Sequence, residues 1–105
     1  MGASKPCRLR PAALADLEAI WDFTAARWSP DQADAYIKGI SAAFERIGEN
    51  PRLVPERTEF TPPVRIYRCE AHIIVYTEDD DHVSVVRIRH GHEDWASDPA
   101  SGGGG

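Results

Sequence analysis

The sequence predicts an α+β domain in the order strand, helical hairpin, three-stranded antiparallel meander, β-α-α-β-β-β, with the hairpin covering one face of the sheet. Three observations carry this prediction. Two segments of helical periodicity flank the string Ser29-Pro30-Asp31-Gln32. A proline-rich stretch ends the helical half. The half that follows is rich in Val, Ile and Tyr, and its connections are too short for parallel crossovers. A chain of 105 residues holds one modest core and no second domain.

Each element has its own signal. Residues 6–10, PCRLR, alternate briefly and read as a short strand. Pro11 then opens a helix in which Leu14, Leu17, Trp21, Thr24 and Trp28 recur at spacings of three and four. Ile20 and Ala25 broaden that stripe, while Asp16, Glu18 and Asp22 lie largely off it. Ser29 supplies an N-cap hydroxyl, Pro30 the first helical position, Asp31 an acid in the first turn and Gln32 the third residue of a capping box. The second helix carries Ala33, Tyr36, Ile37, Ile40, Ala43, Phe44 and Ile47 on one side. It stops at Asn50-Pro51, because a residue before proline is pushed out of the α region.

Residues 51–63 contain Pro51, Pro55, Pro62 and Pro63 and read as an irregular loop. Strands are expected over Val64–Arg68, His72–Thr77 and His82–Arg89, joined through Glu70-Ala71 and Asp79–Asp81. There is no repeat and no linker, so the domain is placed at residues 6–96, with 1–5 and 97–105 as flexible termini. Strict alternation in the last strand puts Val86 and Ile88 on one face, expected under the helices. Val83, Val85, Arg87 and Arg89 then share the open face. Arg65 and Arg68 are an odd number of residues apart, so a regular strand cannot turn both to that face.

Composition excludes several classes of function. Net charge is −5, with Asp and Glu outnumbering Lys and Arg 17 to 12. This argues against holding nucleic acid by counterion release, and no sequence-specific nucleic-acid binding by this chain alone is expected. No stretch approaches a membrane span and no signal-peptide core follows Met1, so the chain is expected in the cytoplasm. Cys7 and Cys69 lack a paired spacing and are expected as free thiols. No nucleophile elbow, phosphate loop or zinc-protease helix motif occurs, and no cofactor is expected.

The stretch "VVRIRHGHEDW" invites a metal reading, with His90, His92 and Asp94 as ligands. Two histidines two apart on a strand can share one metal. Gly91 interrupts that strand, however, and no second ligand pair has a diagnostic spacing, so no metal site is expected. His72 and His82 are expected at strand ends, and the turn Glu78–Asp81 is not expected to hold calcium.

The string "AALADLEAIWDFTAARWSPDQADAYIKGI", with Ala12, Ala15-Asp16-Leu17, Ile20, Trp28, Ala33 and Tyr36-Ile37, resembles the helical hairpin of the ParE/RelE superfamily of bacterial toxins. The end, "HIIVYTEDDDHVSVVRIRHGHEDW", resembles that family's last hairpin, where Ile-x-Tyr precedes a turn and a strand closes in Arg-x-x-His. The likeness spans roughly residues 7–95, in the order and spacing of the ParE branch. It implies the toxin of a type II toxin–antitoxin system, a non-catalytic inhibitor of DNA gyrase silenced by a ParD-like antitoxin. Under it, Arg87, Arg89, His90, Asp94 and Trp95 are the expected target contacts. Trp21, Trp28 and Tyr36 either line an antitoxin groove or pack between hairpin and sheet. The alternative is a RelE-like, ribosome-dependent mRNA endoribonuclease, for which Arg65, Arg68, Arg87 and His90 would supply part of the acid, base and cation set. The sheet half is nearly free of lysine, and no tyrosine follows the last strand, which favours the non-catalytic reading.

Overall fold

In the computed structural model, which describes residues 4–92, 96, 99 and 100, the hairpin is built from α1 (Pro11–Arg27) and α2 (Pro30–Glu49). Pro11 and Pro30 each stand in the first turn of their helix. Only Trp28 and Ser29 separate the two helices. Ser29 is the expected N-cap: its hydroxyl accepts from the Gln32 N–H at 3.1 Å. α2 buries Ala33, Ile40, Ala43, Ile47 and Gly48 and ends at Asn50, before Pro51.

The strands are β1 (Cys7–Leu9), β2 (Glu56–Arg57), β3 (Val64–Cys69), β4 (His72–Glu78) and β5 (Val83–His90). They form a sheet in the order β1-β5-β4-β3-β2. The meander β3-β4-β5 is antiparallel as expected. β1 instead lies parallel to β5, with Cys7 opposite Val83 and Leu9 opposite Val85, so the sheet is mixed. The long crossover that parallel pairing requires is the hairpin together with the strands that follow it. β2 is a two-residue pairing within the proline-rich loop that the sequence left irregular.

The face assignment of β5 needs correction. Tyr76 pairs with Val85 and Val75 with Arg87, which leaves Val86 as an extra residue in a bulge. Alternation therefore changes phase at that point. Val83 and Val85 lie in the helix-side core, and so does Ile88 beyond the bulge. Val86 belongs to the opposite face with Val64, Ile73 and Val75. The expected grouping of Val86 with Ile88 under the helices fails, because one inserted residue flips every side chain after it.

The second face is not open either. Phe60, Ile66 and Ala100 pack on its apolar cluster, and Arg89 is only 6% exposed there. Lys5, placed in the flexible N-terminus from sequence, is tied into the fold. Its N–H donates to the Gly48 carbonyl at 2.8 Å, and its Nζ reaches Glu78 Oε2 at 3.0 Å. Arg52 meets the other oxygen of Glu78 at 3.0 Å, and these two cations hold that carboxyl below its ordinary range. Pro99 is buried, although it too was expected in a flexible tail. No helix among the described residues is long and apolar enough to cross a membrane.

α1 departs furthest from its predicted stripe. Its core-facing residues are Ala13, Leu17 and Ile20, at spacings of four and three. Leu14, Phe23 and Trp28 are 50%, 69% and 66% exposed. Leu14 and Phe23 are on opposite sides of the helix and flank the core-facing stripe, leaving apolar surface outside the packing on the sheet.

Candidate functional site

The Phe23 side of α1 borders a groove of about 470 Å³ between that helix and the end of the sheet. Ile20, Phe23 and Trp28 form its α1 wall, and Tyr36 contributes from α2. His72 opens β4 and His90 closes β5, so the antiparallel register brings them side by side on the opposite wall. Ile88 and Asp16 also line it. Burial draws large apolar side chains out of water at roughly 25 cal/mol per Å². Exposed aromatics beside a preformed concavity therefore favour occupation by an apolar ligand or segment.

Asp16 is the polar anchor of this wall. Both of its oxygens meet Arg87, at 2.6 and 2.7 Å, and its Oδ2 also accepts the Ile88 N–H at 3.0 Å. β1 ends at Leu9, short of this stretch of β5, and Asp16 satisfies an edge donor that β1 does not reach. The arginine–carboxylate pair is bidentate, with both side chains less than a fifth exposed. It fixes α1 to β5 and holds one wall of the groove in place.

The other wall is a ladder of rings. The Tyr36 hydroxyl meets His72 Nδ1 at 2.6 Å and accepts from the Ala71 N–H at 3.2 Å. Burial pushes its phenol above the ordinary value, and the Ala71 bond partly offsets this. His72 and His90 lie edge to face with ring centroids 5.1 Å apart, and His90 and His92 are separated by the same distance. Among the described residues no group of three or more His, Cys, Asp or Glu is placed to hold a metal ion. Gly91 sits in a tight turn, where its N–H donates to the Ala71 carbonyl at 2.8 Å. A Cβ there would approach that carbonyl oxygen to 3.2 Å and an Arg68 nitrogen to 3.0 Å.

The groove thus unites three of the sequence candidates: Trp28, Tyr36 and His90. Trp21 is not among its lining residues, and its indole donates to Asp34 at 2.9 Å across the hairpin. Arg87 and Arg89, expected on an open face, are both engaged within the fold. Arg87 is held by Asp16, and Arg89 is buried on the far face, 3.5 Å from the Pro99 carbonyl. Asp94 and Trp95 lie outside the described residues. Sequence reasoning missed Phe23, whose position off the assigned stripe was the available signal, and it gave His72 no role beyond a strand end.

The ribonuclease candidates divide. Arg65 pairs across the sheet with Tyr76 and donates to the Val54 carbonyl, whereas Arg68 pairs with Ile73 on the opposite face and reaches Gly91 beside His90. This is the outcome that their odd spacing demands. Tyr76 is buried, its phenol is pushed up to about 12 by desolvation, and its hydroxyl donates to the Pro51 carbonyl at 2.7 Å. It is therefore no candidate for a general acid or base at neutral pH.

Known proteins align with the chain over this whole region. The family described as "ParE toxin of type II toxin-antitoxin system, parDE" matches residues 7–95. Toxin ParE1 of Mycobacterium tuberculosis is 37% identical over 83 residues, covering 78% of this chain and 85% of that protein. Toxin ParE1 of Caulobacter vibrioides is 30% identical over 86 residues, covering 82% and 88%. Among solved structures, a chain described as "Chromosomal ParDE TA system from P. aeruginosa" superposes with a TM-score of 0.72 at 19% identity. It covers 83% of this chain and 96% of that one, a likeness of fold.

Proposed function

The chain belongs to the ParE toxin family of type II toxin–antitoxin systems, and we propose that it inhibits DNA gyrase by binding, without catalysis, until a ParD-like antitoxin occupies the α1 groove. The observation that carries the antitoxin half is the exposed apolar surface at the C-terminal end of α1. Phe23 and Trp28 stand mostly in water beside a formed concavity, and an amphipathic segment laid against them would bury that surface. The separation of Arg65 from Arg68 and the capture of Arg87 by Asp16 support a binding mechanism over a nuclease.

The target contact is assigned to the end of β5 and the residues just beyond it. His90 is exposed there and leads the set, with Asp94 and Trp95 following it in sequence. Arg87 and Arg89, on the same strand, support that surface from within the fold.

Expressing the full chain alone and with a ParD-like antitoxin encoded beside it tests both halves. Growth arrest with gyrase-dependent DNA breaks, relieved by the antitoxin, is the expected result. Arrest with positioned mRNA cuts and intact DNA would replace gyrase by the ribosome and reinstate the nuclease reading.

A further inference from the structure

The outer edge of β3 is covered over only part of its length. β2 pairs with Val64 and Arg65, and the sheet order places no other strand beyond β3 among the described residues. Residues 66–69 therefore continue along the sheet with no described strand beside them on that side. In such a strand every second peptide group turns its N–H and C=O outward, which makes the edge a template for a further strand. Tyr67 and Cys69 pack on the helix side of the sheet, and Ile66 on the far side.

A concavity of about 220 Å³ adjoins this edge. Gln32, Ala35, Tyr36 and Gly39 of α2 line it, together with Glu70 from the turn after β3. Cys69 Sγ lies 3.8 Å from the Gly39 carbonyl oxygen, so the end of β3 and the concavity meet. Small residues make the space: a Cβ placed on Gly39 touches nothing within 4 Å. Tyr36 lines both this concavity and the α1 groove and stands between them.

Glu70 gives the concavity its charge. Its backbone is left-handed, with φ at 56°, a conformation that glycine or asparagine adopts at less cost. The residue is exposed, and its carboxylate forms no ion pair among the described residues. Burial pushes up the Tyr36 phenol and the Cys69 thiol, and the Glu70 charge pushes both in the same direction. An arginine side chain suits such a place, because its stem can pack on Ala35 and Gly39 while its guanidinium meets the carboxylate. The net charge of −5 favours a basic partner over a second copy of this acidic chain.

We propose that the outer edge of β3 is a second docking surface, which takes an extended basic segment of a partner protein as an added strand, with an arginine seated against Glu70. Backbone hydrogen bonds to residues 66–69 supply affinity, and the concavity beside them selects the side chain. This surface does not depend on the reading of the α1 groove, and its test needs no antitoxin.

The test titrates the end-capped peptide Val-Thr-Val-Arg-Val-Thr into the full chain and follows backbone amide NMR signals. Its alternation puts the arginine on the helix side and the valines beside Ile66. Amides of residues 66–70 should shift, while those of Phe23 and Trp28 in the α1 groove stay in place. Glu70→Gln should lower the affinity about fivefold, and so should glutamate in place of the peptide's arginine. Gly39→Leu extends a side chain into unfilled space, so it should keep the fold and lower the affinity by at least about fivefold. Methylating alternate amide nitrogens of the peptide should abolish binding in one of the two phases, because those N–H groups are the ones that face β3.

No shift at residues 66–70 at peptide concentrations up to about 5 mM overturns the proposal. Binding that survives methylation in both phases overturns strand addition. Equal affinity in Glu70→Gln overturns the arginine seat. Shifts at residues 66–69 that grow with the concentration of the chain alone would give the edge to a second copy and overturn the basic partner.

Discussion

The two helices of the hairpin have similar lengths and opposite commitments. α2 buries Ala33, Ile40, Ala43 and Ile47, the last three in the core shared with the sheet. Among its residues α1 buries only Ala13 completely, and it leaves Leu14 and Phe23, with Trp28 just beyond its end, half or more exposed. α2 is held mainly by apolar burial, which is non-directional and cumulative. α1 is held by a thinner apolar contact and by the directional Asp16–Arg87 pair. A helix anchored in this way keeps its other face available, and that face is where the groove lies. The division makes α2 the scaffold and leaves α1 with exposed apolar surface.

The comparison can be broken most sharply at Ile40, which is fully buried. Ile40→Ala should cost about 3 kcal/mol in denaturant unfolding, from lost transfer energy and the cavity left behind. Asp16→Ala should cost about 2 kcal/mol, because Arg87 would remain mostly buried without its carboxylate and the Ile88 N–H would lose its acceptor. If Asp16→Ala proved neutral, α1 would be held by its apolar contact alone.

Two glycines of α2 sharpen the picture further. A Cβ on Gly48 would come within 2.5 Å of the Lys5 carbonyl oxygen, so Gly48→Ala should cost about 2 kcal/mol as the β1 approach is displaced. A Cβ on Gly39 meets nothing within 4 Å, and Gly39→Ala should raise stability by up to about 1 kcal/mol through helix propensity. Thermal midpoints of the pair should move in opposite directions. The smallest stability effect belongs to Phe23→Ser, expected within about 0.5 kcal/mol because the ring is 69% exposed. Its affinity for the antitoxin, measured by calorimetry, should nevertheless fall at least about tenfold.

Local chemistry was legible where it acts over a few residues. Ser29-Pro30 announces the start of α2 through a hydroxyl and a fixed φ, and Asn50-Pro51 announces its end. β3, β4 and β5 begin and end within a residue of their expected bounds, because β-branched runs between polar turns need no distant partner to be recognised. The opposite faces of Arg65 and Arg68 followed from parity alone.

What failed depended on contacts far apart in sequence. The bulge at Val86 arises from pairing with β4, and no residue in VVRIRH marks it. That single insertion moved Ile88 under the helices and Val86 away from them. Burial of Arg89 depends on where Pro99 crosses the sheet, and capture of Arg87 depends on an acid 71 positions earlier. α1 carried apolar residues on several sides, and periodicity alone does not say which of them meet a sheet.

The sequence by itself therefore determined the class of fold, the order of elements and the family, since helix caps, turn chemistry and strand composition are local and mutually consistent. Only the tertiary structure decided which apolar side chains of α1 stay in water, which arginines are tied down and which histidines meet. His72 and His90 are 18 residues apart in the chain, yet they face each other because β4 begins where β5 ends. Such proximity is a property of strand register, and register is set by packing across the sheet.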